Sequence, residues 1–286
     1  MTTTHERTTR VTRIHRSSAA LRLLVAGLMF FTACHHQPPA PAPAPVTRAP
    51  EREPSAAITS AASLLRAMHE RYPSWYRTVT FTQKTTISPP SGGELVQTWY
   101  EAAKLPGRLR IETDAASKTG SLFIDDSLYR FNSGRLVSTT DDLNELLVLG
   151  FDVYAQPVAR TEAQLRSQGF DLARFHEGAW EGKPIYVVGA HRGDTTSKQF
   201  WVDKDNLLFV RLIENTPLGR SDIRFENYRK VGNGWIAERV EQVLNGKRRL
   251  VEEYTNVRVN EPLPESLFDP RSWATAMHSP GGARDH

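Results

Sequence analysis

The fold is decided by residues 235–259, which read WIAERVEQVLNGKRRLVEEYTNVRV. Two strand-like runs, 235–244 and 249–259, flank the dipeptide Asn245-Gly246. Asn-Gly between two such runs is the strongest short-range signal for a β-hairpin, because both residues tolerate the positive φ angles of a type I′ turn. The sequence therefore predicts two antiparallel strands joined by a tight turn.

The same pattern continues along most of the chain. Before the hairpin it predicts strands, separated by turns at 203–206 and 232–234, over residues 184–190, 198–203, 207–214 and 221–230. Further upstream, shorter alternating runs occur at 79–84, 96–100, 108–112, 122–124, 128–131 and 135–137. Connections this short require antiparallel pairing, because a parallel crossover needs a dozen or more residues.

Three segments interrupt the strands with helical patterns. Residues 55–71 place apolar residues on one helix face, with Ser55 as the expected N-cap. Asp141-Asp142 is the expected cap of a leucine-rich helix ending at Gly150, and 161–168 forms a short third helix. A sheet this large must curl, and its apolar face must be covered. We therefore expect an α+β fold, a large antiparallel sheet curled into an incomplete β-barrel covered by helices.

The N-terminus has the organisation of a lipoprotein signal peptide. An Arg-rich segment precedes an apolar run of eleven residues, 23–33, which is shorter than the roughly 20 residues needed to span a bilayer. The run ends in Thr32-Ala33-Cys34, which resembles the bacterial lipobox, although Phe31 replaces the usual leucine. The resemblance implies cleavage before Cys34 and lipid attachment to it. An uncleaved anchor with an incidental cysteine is the alternative.

The segment after Cys34 is predicted to be an extended tether. It contains the Pro/Ala repeat 38–45, which disfavours both helix and sheet. The pair His35-His36 is interpreted as polar linker, not as a metal site. The resulting domain prediction is a signal peptide over 1–33, a tether over 34–54, a folded domain over 55–272 and a disordered tail over 273–286.

The net charge belongs mainly to the predicted signal peptide. The chain has 36 Lys and Arg against 32 Asp and Glu, and residues 1–33 contain five arginines and one glutamate, which leaves 31 of each sign. A nearly neutral mature chain gives no electrostatic footprint for nucleic acid. We therefore expect no nucleic-acid partner.

Five short motifs resemble the LolA/LolB-like superfamily of periplasmic lipoprotein carriers and outer-membrane lipoprotein receptors. In chain order they are FTQK at 81–84, LPGRLR at 105–110, FWVD at 200–203, NYRK at 227–230 and NEPLPESLFDP at 260–270. The resemblance covers about 60 to 270. It implies an incomplete barrel with a helical lid, whose apolar interior receives the acyl chains of a lipid or lipoprotein.

Inward-facing apolar residues of the predicted strands are the candidate cavity lining. They are Phe81, Trp99, Leu109, Ile111, Phe123, Phe131, Phe200, Leu212, Phe225 and Trp235. Hydrocarbon entering such a cavity gains roughly 0.8 kcal/mol per buried methylene. Periodicity alone does not distinguish a cavity from a filled core, so ordinary core packing is the alternative for each of them.

One position departs from the family pattern. The soluble carriers have an arginine before the proline of a Lys-Arg-Pro motif, where it bonds to the lid, whereas this chain has Leu105 before Pro106. Together with the predicted anchor at Cys34, this favours a membrane-tethered, receptor-like or lipid-binding relative over a soluble shuttle.

The sequence contains none of the common catalytic or cofactor-binding motifs. The acid pairs Asp125-Asp126 and Asp203/Asp205 lie in expected turns, where Asp is a routine turn former. The basic run 247–249 follows the Asn-Gly turn and either contacts anionic headgroups or is solvated. We expect no enzyme activity, no cofactor, no catalytic residue and no metal.

These observations favour a membrane-anchored periplasmic lipoprotein that binds a lipid or lipoprotein acyl chain, with a role in lipoprotein sorting or envelope biogenesis. Its partners would be the membrane, through lipid on Cys34, and acyl chains. His36 follows Cys34 by two places, where an aspartate would be the inner-membrane retention signal of enteric systems, so the resemblance implies the outer membrane, facing the periplasm. The alternative is an envelope sensor or protein-interaction module of the same fold, with an envelope protein as partner.

Overall fold

The computed structural model of the chain describes residues 57–276. Its thirteen strands are β1 (Thr78–Ile87), β2 (Leu95–Lys104), β3 (Arg108–Asp114), β4 (Thr119–Ile124), β5 (Ser127–Asn132), β6 (Arg135–Asp141), β7 (Phe175–Trp180), β8 (Lys183–Val188), β9 (Gln199–Asp203), β10 (Phe209–Thr216), β11 (Gly219–Val231), β12 (Gly234–Leu244) and β13 (Lys247–Val259). All belong to one sheet, in the order β6-β5-β4-β3-β2-β1-β13-β12-β11-β10-β9-β8-β7.

The hairpin that decides the fold forms as predicted. Asn245 and Gly246 have φ angles of 51° and 75°, as a type I′ turn requires at both central residues. The turn pairs Leu244 with Lys247 and continues along β12 and β13. The later half of the predicted meander is therefore confirmed from β8 onward.

The first and last strands of the chain, β1 and β13, pair in the middle of the sheet. β1 pairs with β13 antiparallel, from Val79 opposite Val259 to Ile87 opposite Leu250. The edges of the sheet are β6 and β7, which flank the helical insertion in sequence. The sheet is therefore open, and the predicted α+β class with an incomplete barrel covered by helices is confirmed.

Three helices cover one face of this sheet: α1 (Ala61–Arg71), α2 (Glu145–Gly150) and α3 (Val158–Ser167). The predicted first helix began too early, because Ser60 is the N-cap and forms a capping box with Ser63. The predicted cap of α2 was also wrong: Asp141 ends β6, and the Asn144 side chain accepts from the amides of Leu146 and Leu147. α3 begins at Val158, three residues before its predicted start.

Strand β7 was not predicted. Its sequence, FHEGAW, alternates between partly buried and exposed positions and contains Gly178 in its centre. It lies at the edge of the sheet, where only β8 pairs with it. An edge strand needs little apolar surface, so its composition gave no strand signal.

The main core lies between the sheet and the helices. Four buried side chains of α1 contribute to it, together with nearly the whole of α2, and the contributing helix residues are Ala61, Leu64, Leu65, Met68, Leu146, Leu147, Val148 and Leu149. A second, smaller core lies on the opposite sheet face, because the adjacent residues Leu122 and Phe123 belong to different clusters.

The chain after β13 covers this second core. Leu267, Phe268 and Trp273 pack there against Leu122 and Phe131. The Trp273 ring stacks on Phe131 with centroids 4.3 Å apart and is 1% exposed. The disordered tail was predicted to begin at residue 273, but packed structure includes Trp273, and residues 277–286 lie outside the described part.

Candidate binding groove

An apolar groove lies on the helix-covered side of the β2–β6 half of the sheet. Its volume is about 350 Å³, at the lower end of the usual size of ligand pockets. The apolar lining consists of Trp99, Ile111, Phe123, Leu128, Phe131 and Val137, and the polar lining includes Thr113, Thr119, Ser121, Arg130, Asn132 and Asp142. Such a lining suits a hydrocarbon chain with polar atoms at its margin.

The strand registers explain why these side chains meet. Ile111 lies opposite Ser121, and Phe123 lies opposite Leu128. Cross-strand neighbours on one face have Cβ atoms about 4.5–5.5 Å apart, so the side chains form a continuous surface. Val137 is 61% exposed, so the groove reaches solvent beside β6.

The predicted cavity residues divide into three groups. Trp99, Ile111 and Phe123 line the groove from the main-core face. Phe131 borders the groove but belongs to the second core on the opposite face, where it stacks on Trp273. The other six lie in or against the main core, and they are Phe81, Leu109, Phe200, Leu212, Phe225 and Trp235. Of these, Trp235 is only partly buried. In the β8–β12 half the interior is packed by side chains such as Phe170, which meets Phe200 edge-on at 5.4 Å.

The helical insertion is bonded to the sheet at the β2–β3 turn. The amide of Gly107 donates to both carboxylate oxygens of Asp152, each at 3.1 Å. Burial raises the pKa of Asp152 to about 7, although the Gly107 hydrogen bond and Arg160 oppose this shift. Arg77 adds a hydrogen bond of 2.7 Å to the carbonyl of Ala155. Leu105 itself is buried in the main core.

The end of the sheet opposite this turn is an open rim, defined by the turns at 88–94, 115–118, 133–134, 217–218 and 245–246. Every second turn of an antiparallel meander lies at the same end of the sheet. Ile87, at the end of β1, pairs with Leu250, near the start of β13, so these turns of both halves of the sheet lie at this one end. The large apolar residues exposed on the described part lie on strands or turns next to this rim, and they are Leu95, Val96, Leu136, Val137 and Leu218.

A buried polar cluster was missed by sequence reasoning. Gln83, Thr85, Glu101, Glu252 and Tyr254 lie on the central strands β1, β2 and β13, each at most 2% exposed. Glu101 alternates with the core residues Trp99 and Ala103, so it faces the same interior. The alternation was visible in the sequence, but glutamate is rarely buried without a partner.

Both glutamates are strongly perturbed by this environment. Burial and then the carboxyl of Glu252 raise the pKa of Glu101 well above its usual range. Burial likewise raises the pKa of Glu252, and hydrogen bonding from Tyr254 and Gln83 opposes the shift only in part. This environment therefore favours the neutral, protonated carboxyl at both positions.

The predicted turn roles of the acidic pairs are confirmed for Asp203. Its carboxylate accepts from the amides of Asp205, Asn206 and Leu208 at 3.0, 2.8 and 3.0 Å. Asp125 has a φ of 51° in its turn and pairs with exposed Arg160 at 2.7 Å. Lys247 and Arg248 are exposed at the open rim.

Over residues 57–276 no group of three or more metal-ligating side chains is gathered in one place. Among the helices of that range, none has the length and apolar character to cross a bilayer. Cys34, His35 and His36 lie outside the described residues.

Comparison with solved structures places the fold. A DUF1329 family protein from Desulfovibrio piger aligns with a TM-score of 0.50 at 15% identity, over 73% of this chain and 95% of that protein. LolA superfamily protein NE2245 from Nitrosomonas europaea aligns with a TM-score of 0.46 at 18% identity, over 74% of this chain and 98% of that protein. A protein from Vibrio parahaemolyticus, assigned as an outer membrane lipoprotein-sorting protein domain, aligns with a TM-score of 0.49 at 10% identity. The alignment covers 74% of this chain and 97% of that protein.

No protein family and no curated protein matches the chain by sequence. At these identities the structural likeness is one of fold alone, and nothing about function is carried over from it. The alignment with the DUF1329 family protein shows a shared fold.

Proposed function

We propose that this protein is a lipid-anchored envelope lipoprotein that binds one acyl chain of a lipid or lipoprotein in the groove of its half-barrel. The observation that carries the proposal is the groove of about 350 Å³, in which Trp99, Ile111, Phe123 and Leu128 form an apolar lining. Binding would transfer hydrocarbon from water to this lining at roughly 0.8 kcal/mol per methylene. No step of this function involves bond-making chemistry.

The position of the groove suits exchange with a membrane. It reaches solvent beside Val137, next to the open rim, whereas in this half of the sheet the helical insertion is bonded at the other end; its bond from Lys198 to Glu145 near the rim lies in the β8–β10 half. A lipid therefore has a route into the groove that leaves the Gly107–Asp152 contact intact. The predicted tether, residues 34–54, would hold the domain near the bilayer through lipid on Cys34.

The direct test is saturable binding of a fluorescent fatty acid by the full-length chain with Cys34→Ala. We expect a defined stoichiometry, and a melting temperature that rises with occupancy, since a ligand that binds only the native state stabilises it. Binding that increases linearly without saturation, or that appears only on unfolding, contradicts the proposal.

The location is proposed to be the outer membrane, facing the periplasm. This rests on the lipobox resemblance at Cys34 and on the histidines that follow it. Fractionation of a double-membraned host tests it, and recovery with the inner membrane contradicts it.

An envelope sensor or protein-interaction module is the second candidate. It is favoured by the five exposed apolar residues near the open rim, which range from 50% exposed at Leu95 to 66% at Leu218. Exposed apolar surface of this kind often marks a contact site. Intact, folded protein that binds no acyl probe but captures an envelope protein through this rim would support the second candidate over the first.

A further inference from the structure

The buried polar cluster contains four acceptor atoms without hydrogen-bond partners among the described residues. They are Oε1 of Gln83, both carboxylate oxygens of Glu101, and Oε1 of Glu252. Gln83 Nε2 donates to Thr85 Oγ1 at 2.8 Å and Tyr254 Oη donates to Glu252 Oε2, and these bonds leave the four acceptor atoms unpaired. Buried polar groups are normally paired, so a cluster of four such atoms needs an explanation.

This cluster adjoins the inner end of the groove. Glu101 is paired directly with Ile111 across β2 and β3, and Trp99 is the next inward-facing residue along β2. Both neighbours line the groove. A chain lying against Trp99 and Ile111 therefore ends next to Glu101, from which the neighbouring Cβ atoms are separated by only about 5–7 Å.

The polar atoms of the cluster indicate which kind of head group it would bind. It presents carboxyl and amide oxygens, and within the described residues no basic side chain forms an ion pair with Glu101 or Glu252. An anionic head group would therefore find no cationic partner in the cluster. A primary ammonium has three donors and no acceptor, and its charge compensates that of one carboxylate.

We propose that Glu101, Glu252 and Gln83 form a head-group site for the primary ammonium of an amphiphile whose hydrocarbon chain lies in the groove. This inference rests on the proposed function, because the same groove holds the chain. Glu101 is 1% exposed, so the head group has to displace neighbouring core side chains as it enters.

The proton balance of binding gives an independent readout. The amphiphile enters as R-NH₃⁺, one carboxyl of the pair ionises, and its proton passes to the buffer. Burial raises the pKa of both carboxyls well above the usual range, and the carboxyl of Glu252 adds to the shift at Glu101, so the protonated forms are favoured beforehand. The complex is then an ammonium–carboxylate pair with the second carboxyl still neutral.

The test is isothermal titration of the full-length chain with Cys34→Ala at pH 7, using dodecylamine, 1-dodecanol and dodecanoate below their micellar concentrations. We expect dodecylamine to bind at least about tenfold more tightly than dodecanol, the effect of one hydrogen bond to a charged group. Titration in buffers of different ionisation enthalpy should show release of about one proton per amine bound.

The double variant Glu101→Gln/Glu252→Gln should abolish the preference for the amine and the proton release, and each single variant should weaken the preference, because it leaves one carboxyl that can ionise. The matched control is Glu253→Gln, because Glu253 is exposed and pairs only with exposed Lys84 at 2.8 Å. Thermal melts of each variant confirm that it is folded, and the proton count on the parent protein remains decisive even where a variant is not.

The outcomes separate the two proposals. Equal affinity for amine and alcohol, or no proton release, overturns the head-group site but leaves acyl-chain binding in place. If none of the three probes binds, both proposals fail. If dodecylamine is preferred, a comparison of lysophosphatidylethanolamine with lysophosphatidylcholine identifies the source of the ammonium group. Preference for lysophosphatidylethanolamine indicates a phospholipid amine, and binding of dodecylamine alone indicates a free alkylamine.

Discussion

The amide of Gly107 donates to both carboxylate oxygens of Asp152, at 3.1 Å each, and so joins the β2–β3 turn to the helical insertion. This contact is made at the end of the sheet away from the open rim. It lies beside an exposed ion pair of Arg160 with Asp125, 2.7 Å long. The insertion is thus held by a buried carboxyl whose protonation depends on pH.

We predict that Asp152→Asn changes how stability varies with pH. The pKa of Asp152 is raised to about 7, above the roughly 3.9 of an unfolded aspartate, so the native state binds the proton more tightly. This stabilising contribution is complete below about pH 4 and is lost as the pH rises through about 7. The variant has no such proton, so its free energy of unfolding lacks this loss. Between pH 4 and 8 the free energy of unfolding of the variant should therefore rise by a few kcal/mol relative to that of the parent.

Denaturant unfolding at a series of pH values measures this difference. The parent protein is the reference, and an Asp152→Asn curve that runs parallel to that of the parent would show that Asp152 does not retain its proton on folding.

The second prediction concerns Trp273, which packs over the second, smaller core. Its ring stacks on Phe131 and lies 3.8 Å from the guanidinium of Arg110, which donates at 2.9 Å to the Trp273 carbonyl. Trp273→Ala should cost about 3–5 kcal/mol of unfolding free energy, as for other buried aromatic truncations. Arg271→Ala, two residues away with a side chain 91% exposed, should cost less than about 1 kcal/mol. Equal effects in denaturant melts would mean that this segment does not belong to the folded domain.

The third prediction is that Cys34→Ala releases the protein from the membrane fraction. Lipid on Cys34 is the proposed anchor, and two or three acyl chains bind stably where one binds reversibly. His35→Ala should remain membrane-bound, and an inhibitor of lipoprotein signal peptidase should cause the precursor to accumulate. If the Cys34 variant sediments with membranes in high salt, another element holds the protein there.

How far the sequence predicts this molecule depends on the range of the interactions. The β12–β13 turn is local chemistry, and Asn245-Gly246 was enough to place it. The pairing of β1 with β13 joins segments more than 150 residues apart, and no local pattern points to it. The start of α1 depended on a choice between serines, which the reciprocal bonds of Ser60 and Ser63 settle.

The site was predicted only in part for the same reason. Alternation placed Trp99, Ile111 and Phe123 on an inner face, but whether side chains fill the space between them depends on the helices opposite. The same alternation points Glu101 inwards, yet the general rule that carboxylates stay exposed argued against a buried position. Its burial depends on tertiary packing that composition does not encode.

The last prediction tests the groove itself. Trp99→Glu and Phe123→Glu should each weaken binding of a fluorescent fatty acid severely, because a charge in the groove loses its hydration when hydrocarbon enters. Lys247→Glu is the matched control: it also introduces a carboxylate, but at an exposed turn of the open rim where the charge stays in water. Its effect on binding should be small.

Folding and binding must be read together, because Trp99 and Phe123 are also part of the main core. Circular dichroism and thermal melts identify any variant that is simply unfolded, and for such a variant the milder Trp99→Leu or Phe123→Ser replaces it. A folded groove variant that binds the probe as tightly as Lys247→Glu would show that the acyl chain lies elsewhere. Failure of the parent protein to bind would instead favour the interaction module, since the exposed residues near the open rim would then be the surface without an assigned partner.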